Sequence, residues 1–168
     1  MRAFKITKTG NFMTKLLSGS TFDSFLLEEA SVNMQVSWHL DGRINRNFYS
    51  SKEWEDASLH PYPLVQWGEV RAYVRELIRG KKAPASLSII LQARPETVFS
   101  ILTEAGYPLL ADAVGGMAIN IRYDGSEVTL ISAISLKSFT LDRNADRIWD
   151  DTIEKYLSRI EAAFEVAT

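Results

Sequence analysis

"FDSFLLEEASVNMQVSWHL", residues 22–40, decides the class of fold. From Val32 onward the apolar residues Val32, Met34, Val36, Trp38 and Leu40 alternate with Asn33, Gln35, Ser37 and His39. Successive side chains of an extended chain point to opposite faces, so the pattern predicts one strand with a buried face and Trp38 in the core. Asp41-Gly42 follows at once, a dipeptide suited to a tight hairpin, and predicts a return through Ile44 and Phe48 as an antiparallel partner. The same signature recurs later. Residues 117–123 alternate, Asp124-Gly125 turns, and residues 128–141 run back with a phase slip between Leu136 and Phe139 that predicts a break near Ser138.

Outward from these hairpins, residues 2–7 alternate as a strand and residues 11–18 form a short helix stopped by Gly19. Residues 50–63, "SSKEWEDASLHPYP", have no period and two prolines, and read as a loop or irregular cap. A helix beginning near Leu64 carries Trp67, Val70, Val74, Leu77 and Ile78 as one stripe and ends at Gly80. Leu87, Ile89 and Leu91 mark a strand. Pro95 opens a helix with Val98, Phe99 and Leu102, and Gly106 closes it. From Asn144 a last helix carries Ile148, Trp149, Ile153, Tyr156, Leu157, Ile160 and Phe164, a stripe fit to cover a sheet. The sum is an α+β fold, with a largely antiparallel sheet of about seven strands and about four helices. No linker interrupts the chain, so residues 1–168 read as one domain, with an echo of element order between 2–80 and 86–166.

The composition is that of a globular chain: 46% hydrophobic, 24% charged and 11% aromatic over 168 residues, enough to bury a core without staples. With no cysteine there is no disulfide, thiolate nucleophile or sulfur-held metal, and a cytoplasmic home is the expectation. No apolar run approaches the length of a signal peptide core or a membrane span, so no membrane partner is expected. Two histidines, His39 and His60, lie in no metal or triad spacing; no Gly-x-Ser-x-Gly elbow, Walker loop or dinucleotide fingerprint is present. No cofactor and no metal are expected. The carboxylate pairs Glu28-Glu29 and Asp150-Asp151 leave acid/base chemistry open, although neighbours on a strand diverge and acids in a helix's first turn serve its dipole.

Charge is uneven within a net of −2. Residues 1–20 hold Arg2, Lys5, Lys8 and Lys15 with no acid, and residues 70–82 hold Arg71, Arg75, Arg79, Lys81 and Lys82 against Glu76. At ~100° per residue the three arginines lie beside the apolar stripe of their helix, where long stems cover apolar surface and the heads stay wet. Two readings stand: a solvated flank, or a grip for phosphate that would include Lys15. Aromatics concentrate between Phe48 and Tyr73. Trp67 belongs to the apolar stripe, whereas Trp54, set among Lys52, Glu53, Glu55 and Asp56, is core or contact surface, and Tyr49 is named with it as a partner contact.

"TFDSFLLEEA" (21–30), "DGRIN" (41–45), "GKKAP" (80–84), "NIRYDG" (120–125) and "SLKSFTLD" (135–142) together resemble a family of small bacterial proteins, mostly clostridial, known as a domain of unknown function. The resemblance spans nearly the whole chain and implies no activity and no site residue. In element order the chain also resembles sliding DNA clamps, whose two basic helices face DNA; Lys8 and Lys15, and then Arg71, Arg75 and Arg79, fall on the corresponding segments. The expected function is a non-enzymatic binding protein that associates with itself as a homodimer. A clamp-like nucleic-acid binder is the alternative, and an enzyme using carboxylates a further one.

Overall fold

The computed structural model describes residues 1–167 and contains one antiparallel sheet of seven strands. In chain order the strands are β1 (Ala3–Ile6), β2 (Leu26–Asn33), β3 (Ser37–Asp41), β4 (Ser86–Gln92), β5 (Val114–Tyr123), β6 (Val128–Leu136) and β7 (Phe164–Ala167). They lie side by side as β3-β2-β4-β5-β6-β1-β7. The helices are α1 (Thr9–Leu17), α2 (Ser51–Glu55), α3 (Trp67–Ile78), α4 (Pro95–Glu104), α5 (Leu110–Ala113) and α6 (Asn144–Arg159). The α+β class and the strand number are as the periodicity predicts.

One face of the sheet carries the core. Val32, Leu87, Ile89, Leu91, Ile119, Ile121, Val128, Leu130 and Phe4 are buried there under Phe12 and Leu16 of α1, Trp67 and Val74 of α3, Leu102 of α4, and Trp149, Ile153 and Leu157 of α6. Each strand buries alternate residues, and each long helix buries one stripe, because only that face removes apolar surface from water. The opposite face mixes polar residues with Ala3, Ile90, Ala118, Ile131 and Ala133. His39, Ser31, Ser88, Arg122, Thr129, Lys5 and Glu165 stand in one register row across all seven strands.

The opening stretch is not one strand. β2 ends at Asn33 and pairs with β3, Asn33 opposite Ser37 and Val32 opposite Trp38, around a turn of residues 34–36 closed by Met34 N–H donating to the Val36 carbonyl at 3.0 Å. Paired residues share a face, and the separation between them here is even, so the apolar alternation continues unbroken through the turn. A hairpin therefore reads as one strand. The expected burial of Trp38 is corrected accordingly: on the edge strand the helical cover gives out, and Trp38 is 46% exposed and Val36 53%.

Asp41-Gly42 is likewise not a hairpin. Gly42 is buried against β2, where its N–H donates to the Glu28 carbonyl at 2.9 Å and its carbonyl accepts from Val65 at 2.8 Å. A Cβ on Gly42 would overlap the Leu27 carbonyl oxygen, so close approach of two backbones is what selects glycine. Ile44 and Phe48 form no returning strand; an isolated bridge joins Arg43 to Leu64, and Arg46–Phe48 is a single 3₁₀ turn. The stretch 50–63, expected to be irregular, contains α2 and a second 3₁₀ turn, Ala57–Leu59. Asp124-Gly125 does turn a hairpin: Gly125 has φ +102°, and the Asp124 carboxylate accepts from the N–H groups of Ser126 and Glu127 at 2.9 and 2.8 Å.

β6 stops at Leu136, in keeping with the phase slip, and Phe139 and Leu141 lie exposed in the loop before α6. Two helices end by the same device. The N–H of Tyr107 reaches back to the Leu102 carbonyl at 2.8 Å and that of Ala162 to Leu157 at 2.9 Å, with Gly106 (φ +87°) and Glu161 (φ +57°) as the left-handed residues between. Glu161 thus ends α6 earlier than its apolar stripe predicts, and Phe164 belongs to β7 instead.

Candidate functional site

The basic stripe does not act as one unit. Arg71 faces Asp23, its Nε donating to Oδ1 at 2.7 Å and its Nη2 to Oδ2 at 3.3 Å, and this hydrogen bonding raises the arginine's pKa above its ordinary value. Gly68 makes the pairing possible, since a Cβ there would lie 2.9 Å from the Asp23 side chain. The indole Nε1–H of Trp67 donates to the Leu16 carbonyl at 2.9 Å and its backbone N–H to the Phe25 carbonyl at 2.8 Å, so the start of α3 is fastened to both α1 and the segment that follows it. Beyond this anchor, Arg75 and Arg79 flank Glu76 at 3.9 and 3.5 Å, Lys81 and Lys82 are exposed after the helix, and Lys15 lies half-buried on α1. Four of the six basic residues named from sequence, Arg75, Arg79, Lys81 and Lys82, therefore share one exposed stretch.

That stretch borders the unpaired edge of the sheet. Met34, Gln35, Val36, Trp38, Leu77 and Lys82 line an open groove of about 570 Å³ between the β2–β3 turn and the end of α3. Its walls are largely apolar, Lys82 is its one charged lining residue, and among the described residues β3 has only β2 as a neighbour in the sheet.

Tyr49 and Trp54 sit in a compact module formed by residues 45–60. The Trp54 indole stacks on His60 at 3.9 Å and 14°, the Arg46 guanidinium lies 4.9 Å from its ring, and Tyr49 packs edgewise on both Phe48 and His60. His60 Nε2 lies 2.9 Å from the Trp54 carbonyl, and α2 is opened by Ser50 and Glu53, whose reciprocal hydrogen bonds hold the glutamate below the usual carboxylate range. Both named aromatics are half-buried by their own neighbours. Phe48, which sequence did not single out, is the exposed one, at 80%.

The carboxylate pairs go separate ways. Glu28 accepts from Gln92 at 2.7 Å, Glu29 is exposed on the next register position, Asp150 is buried and accepts from the Ser132 hydroxyl and the Met1 amino group, and Asp151 meets Arg2 at 3.1 Å. Among the described residues no group of three or more His, Asp or Glu is placed to hold a metal, and no helix is long and apolar enough to cross a membrane.

Sequence reasoning missed Arg94 and Arg159, which converge on a second groove between α4 and α6. A local signal existed for the first: Arg94 is the N-cap of α4, directly before Pro95, where a cation opposes the helix dipole and no side chain caps the helix. Arg159 had none, being one of several bases in an acidic helix. No curated protein and no solved structure matches the chain, and the likeness to sliding clamps in element order finds no support. The matching family model covers residues 15–165 and is described as a family of unknown function (DUF5721), and the chain belongs to that family.

Proposed function

We propose that this chain is a non-enzymatic binding protein of the cytoplasm that pairs with a second copy of itself through the outer edge of β3. The observation that carries the reading is Trp38, a large apolar side chain left about half exposed beside unpaired backbone groups. An uncovered edge is a template for another strand, and proteins that do not use one blunt it with charge, proline or a bulge. Of β3's residues, Ser-Trp-His-Leu-Asp, only Asp41 is charged. A two-fold copy centred on His39 places Trp38 against Leu40 of the second copy on the helical side and Ser37 against Asp41 on the other, so no like charges oppose each other. Light scattering in the micromolar range should give twice the 18.9 kDa of one chain. Trp38→Lys should return it to one, while Trp38→Ala should cost less than about 1 kcal/mol of monomer stability because the side chain is half exposed. A wild-type monomer throughout that range sinks the reading.

The exposed run Arg75, Arg79, Lys81 and Lys82 favours a second reading, a sequence-indifferent grip on nucleic acid. Neutralising about four phosphates gives a slope of roughly −3 to −4 for log K against log salt on duplex DNA. Replacing Arg75 and Arg79 by Glu should abolish the mobility shift of DNA. Arg71 is unsuited to that test, because reversing it sets like charges against Asp23. Absence of any shift at low salt, where charge effects are largest, leaves these bases as a solvated flank.

A further inference from the structure

The groove between α4 and α6 lies on the helical side of the sheet, away from the β3 edge, and stands independently of the reading above. Its narrow part, about 270 Å³, has an apolar floor that includes Phe25, Ile101, Trp149 and Ile153, with the hydroxyls of Ser24, Thr97 and Thr152 around it. Among the described residues the only charged groups lining it are the guanidiniums of Arg94 and Arg159. It opens at one end into a wider trough of about 570 Å³ along α6, which shares Ile101, Thr152, Tyr156 and Arg159 and adds Glu104, Asp151 and Lys155 at the rim.

Neither arginine is in a salt bridge among the described residues, a feature shared with Arg46, Arg122 and Arg147, none of which lines this groove. Each instead rests on an aromatic ring, Arg94 at 5.5 Å from Tyr62 and Arg159 at 5.2 Å from Tyr156. Arg94 gives Nη2 to the Gln66 side chain but keeps Nε buried with no acceptor. Arg94 lines the groove with no carboxylate paired to it, so an anionic acceptor there adds charge-assisted hydrogen bonds to its guanidinium. The nearby acid, Glu96, is taken by the Tyr62 hydroxyl, which holds its carboxyl below the usual range. Tyr156 is committed as well: its hydroxyl donates to the Thr21 carbonyl, and burial pushes its pKa up to about 12.

We infer that this groove binds a small organic carboxylate with an apolar body, the carboxylate between Arg94 and Arg159 and the body on the Phe25, Trp149 and Ile153 floor. A planar guanidinium fork matches a carboxylate's two oxygens, and the positive end of α4 at Arg94 adds to the attraction. The volume admits a single aromatic ring or a short alkyl chain, at the small end of ligand pockets.

Titration calorimetry on the full chain with 3-phenylpropionate and octanoate tests this, with the two corresponding amides and inorganic phosphate as comparisons. Both carboxylates should bind. The amides should be weaker by about tenfold or more, because they lack the charge that two guanidiniums receive. Phosphate alone, which leaves the apolar floor uncovered, should be weaker also. Arg94→Gln and Arg159→Gln should each lower carboxylate affinity by about tenfold or more, with Arg75→Gln as a control that changes nothing. Arg159 is exposed, so Arg159→Gln leaves the fold intact and carries the test even if loss of the Gln66 contact unfolds Arg94→Gln. Since guanidinium stays charged, affinity should be level from about pH 6 to 9. Equal binding of acids and amides, binding of phosphate as tight as that of the carboxylates, indifference to Arg159→Gln, or no heat with either carboxylate overturns the assignment.

Discussion

Trp67→Ala should lower unfolding stability by about 3–5 kcal/mol, the range for removing a fully buried indole, and at ~2–4 °C per kcal/mol for a chain of this size the melting temperature should fall by roughly 6–20 °C. Trp67 has no exposed surface and lies where α3 meets α1 and the core. The loss has two parts. Most is the void left in the core cluster, and the rest is the Leu16 carbonyl, which accepts the indole N–H and belongs to the last turn of α1, where the helix itself offers no donor. Trp67→Phe separates them: it keeps most of the volume, removes the donor, and should cost about 1–2 kcal/mol. A chemical denaturation curve showing Trp67→Ala within 1 kcal/mol of wild type would mean that α3 is not packed as described.

Gly42→Ala should cost on the order of 3 kcal/mol or more, an effect out of proportion to one methyl group. The added carbon would overlap the Leu27 carbonyl oxygen and stand 2.6 Å from its carbon, and both are backbone atoms with no rotamer to escape into. Movement of the chain is resisted on both sides. The Gly42 N–H is bonded to Glu28 at the bulge of β2, its carbonyl to Val65, and Leu27 in turn donates to Val65 at 2.8 Å. Separating the strands breaks at least one of these bonds, at ~1 kcal/mol each plus the strain. Gly10→Ala is the control. Nothing lies within 4 Å of a Cβ there, and in the first turn of α1 the change should be neutral or stabilising by up to about 1 kcal/mol. Similar melting temperatures for the two variants would remove the close approach as the reason for glycine.

The two Asp-Gly dipeptides show what a sequence reveals and what it hides. Asp124-Gly125 is legible because its causes are local: a positive φ that glycine tolerates and a carboxylate that accepts from the backbone N–H groups of Ser126 and Glu127. Asp41-Gly42 is the same pair with a tertiary cause, the proximity of Leu27, and no local pattern carries that. Trp38 misleads through parity, since a turn that preserves alternation is invisible to a test of period. Glu161 misleads through chemistry, taking a left-handed φ that the sequence leads one to seek at glycine. For the candidate sites, the basic helix was visible as a spacing, but the partner that removes Arg71 from it lies 48 positions away at Asp23. Arg94 and Arg159 belong to different helices and meet only through the packing of α4 on α6.

The place of β1 in the sheet bears on how the chain is made. Lys5 is registered against Thr129 on one side and Glu165 on the other, so the strand that leaves the ribosome first is flanked by two that leave late. At about 5–20 residues per second, Phe4 and Ile6 wait roughly 6–25 s for β6 to emerge. During that interval β2, β3, β4 and β5, which are neighbours in the sheet, can assemble into a half-sheet while β1 remains an unclaimed apolar segment. Closure then comes as a late insertion of β1 between β6 and β7.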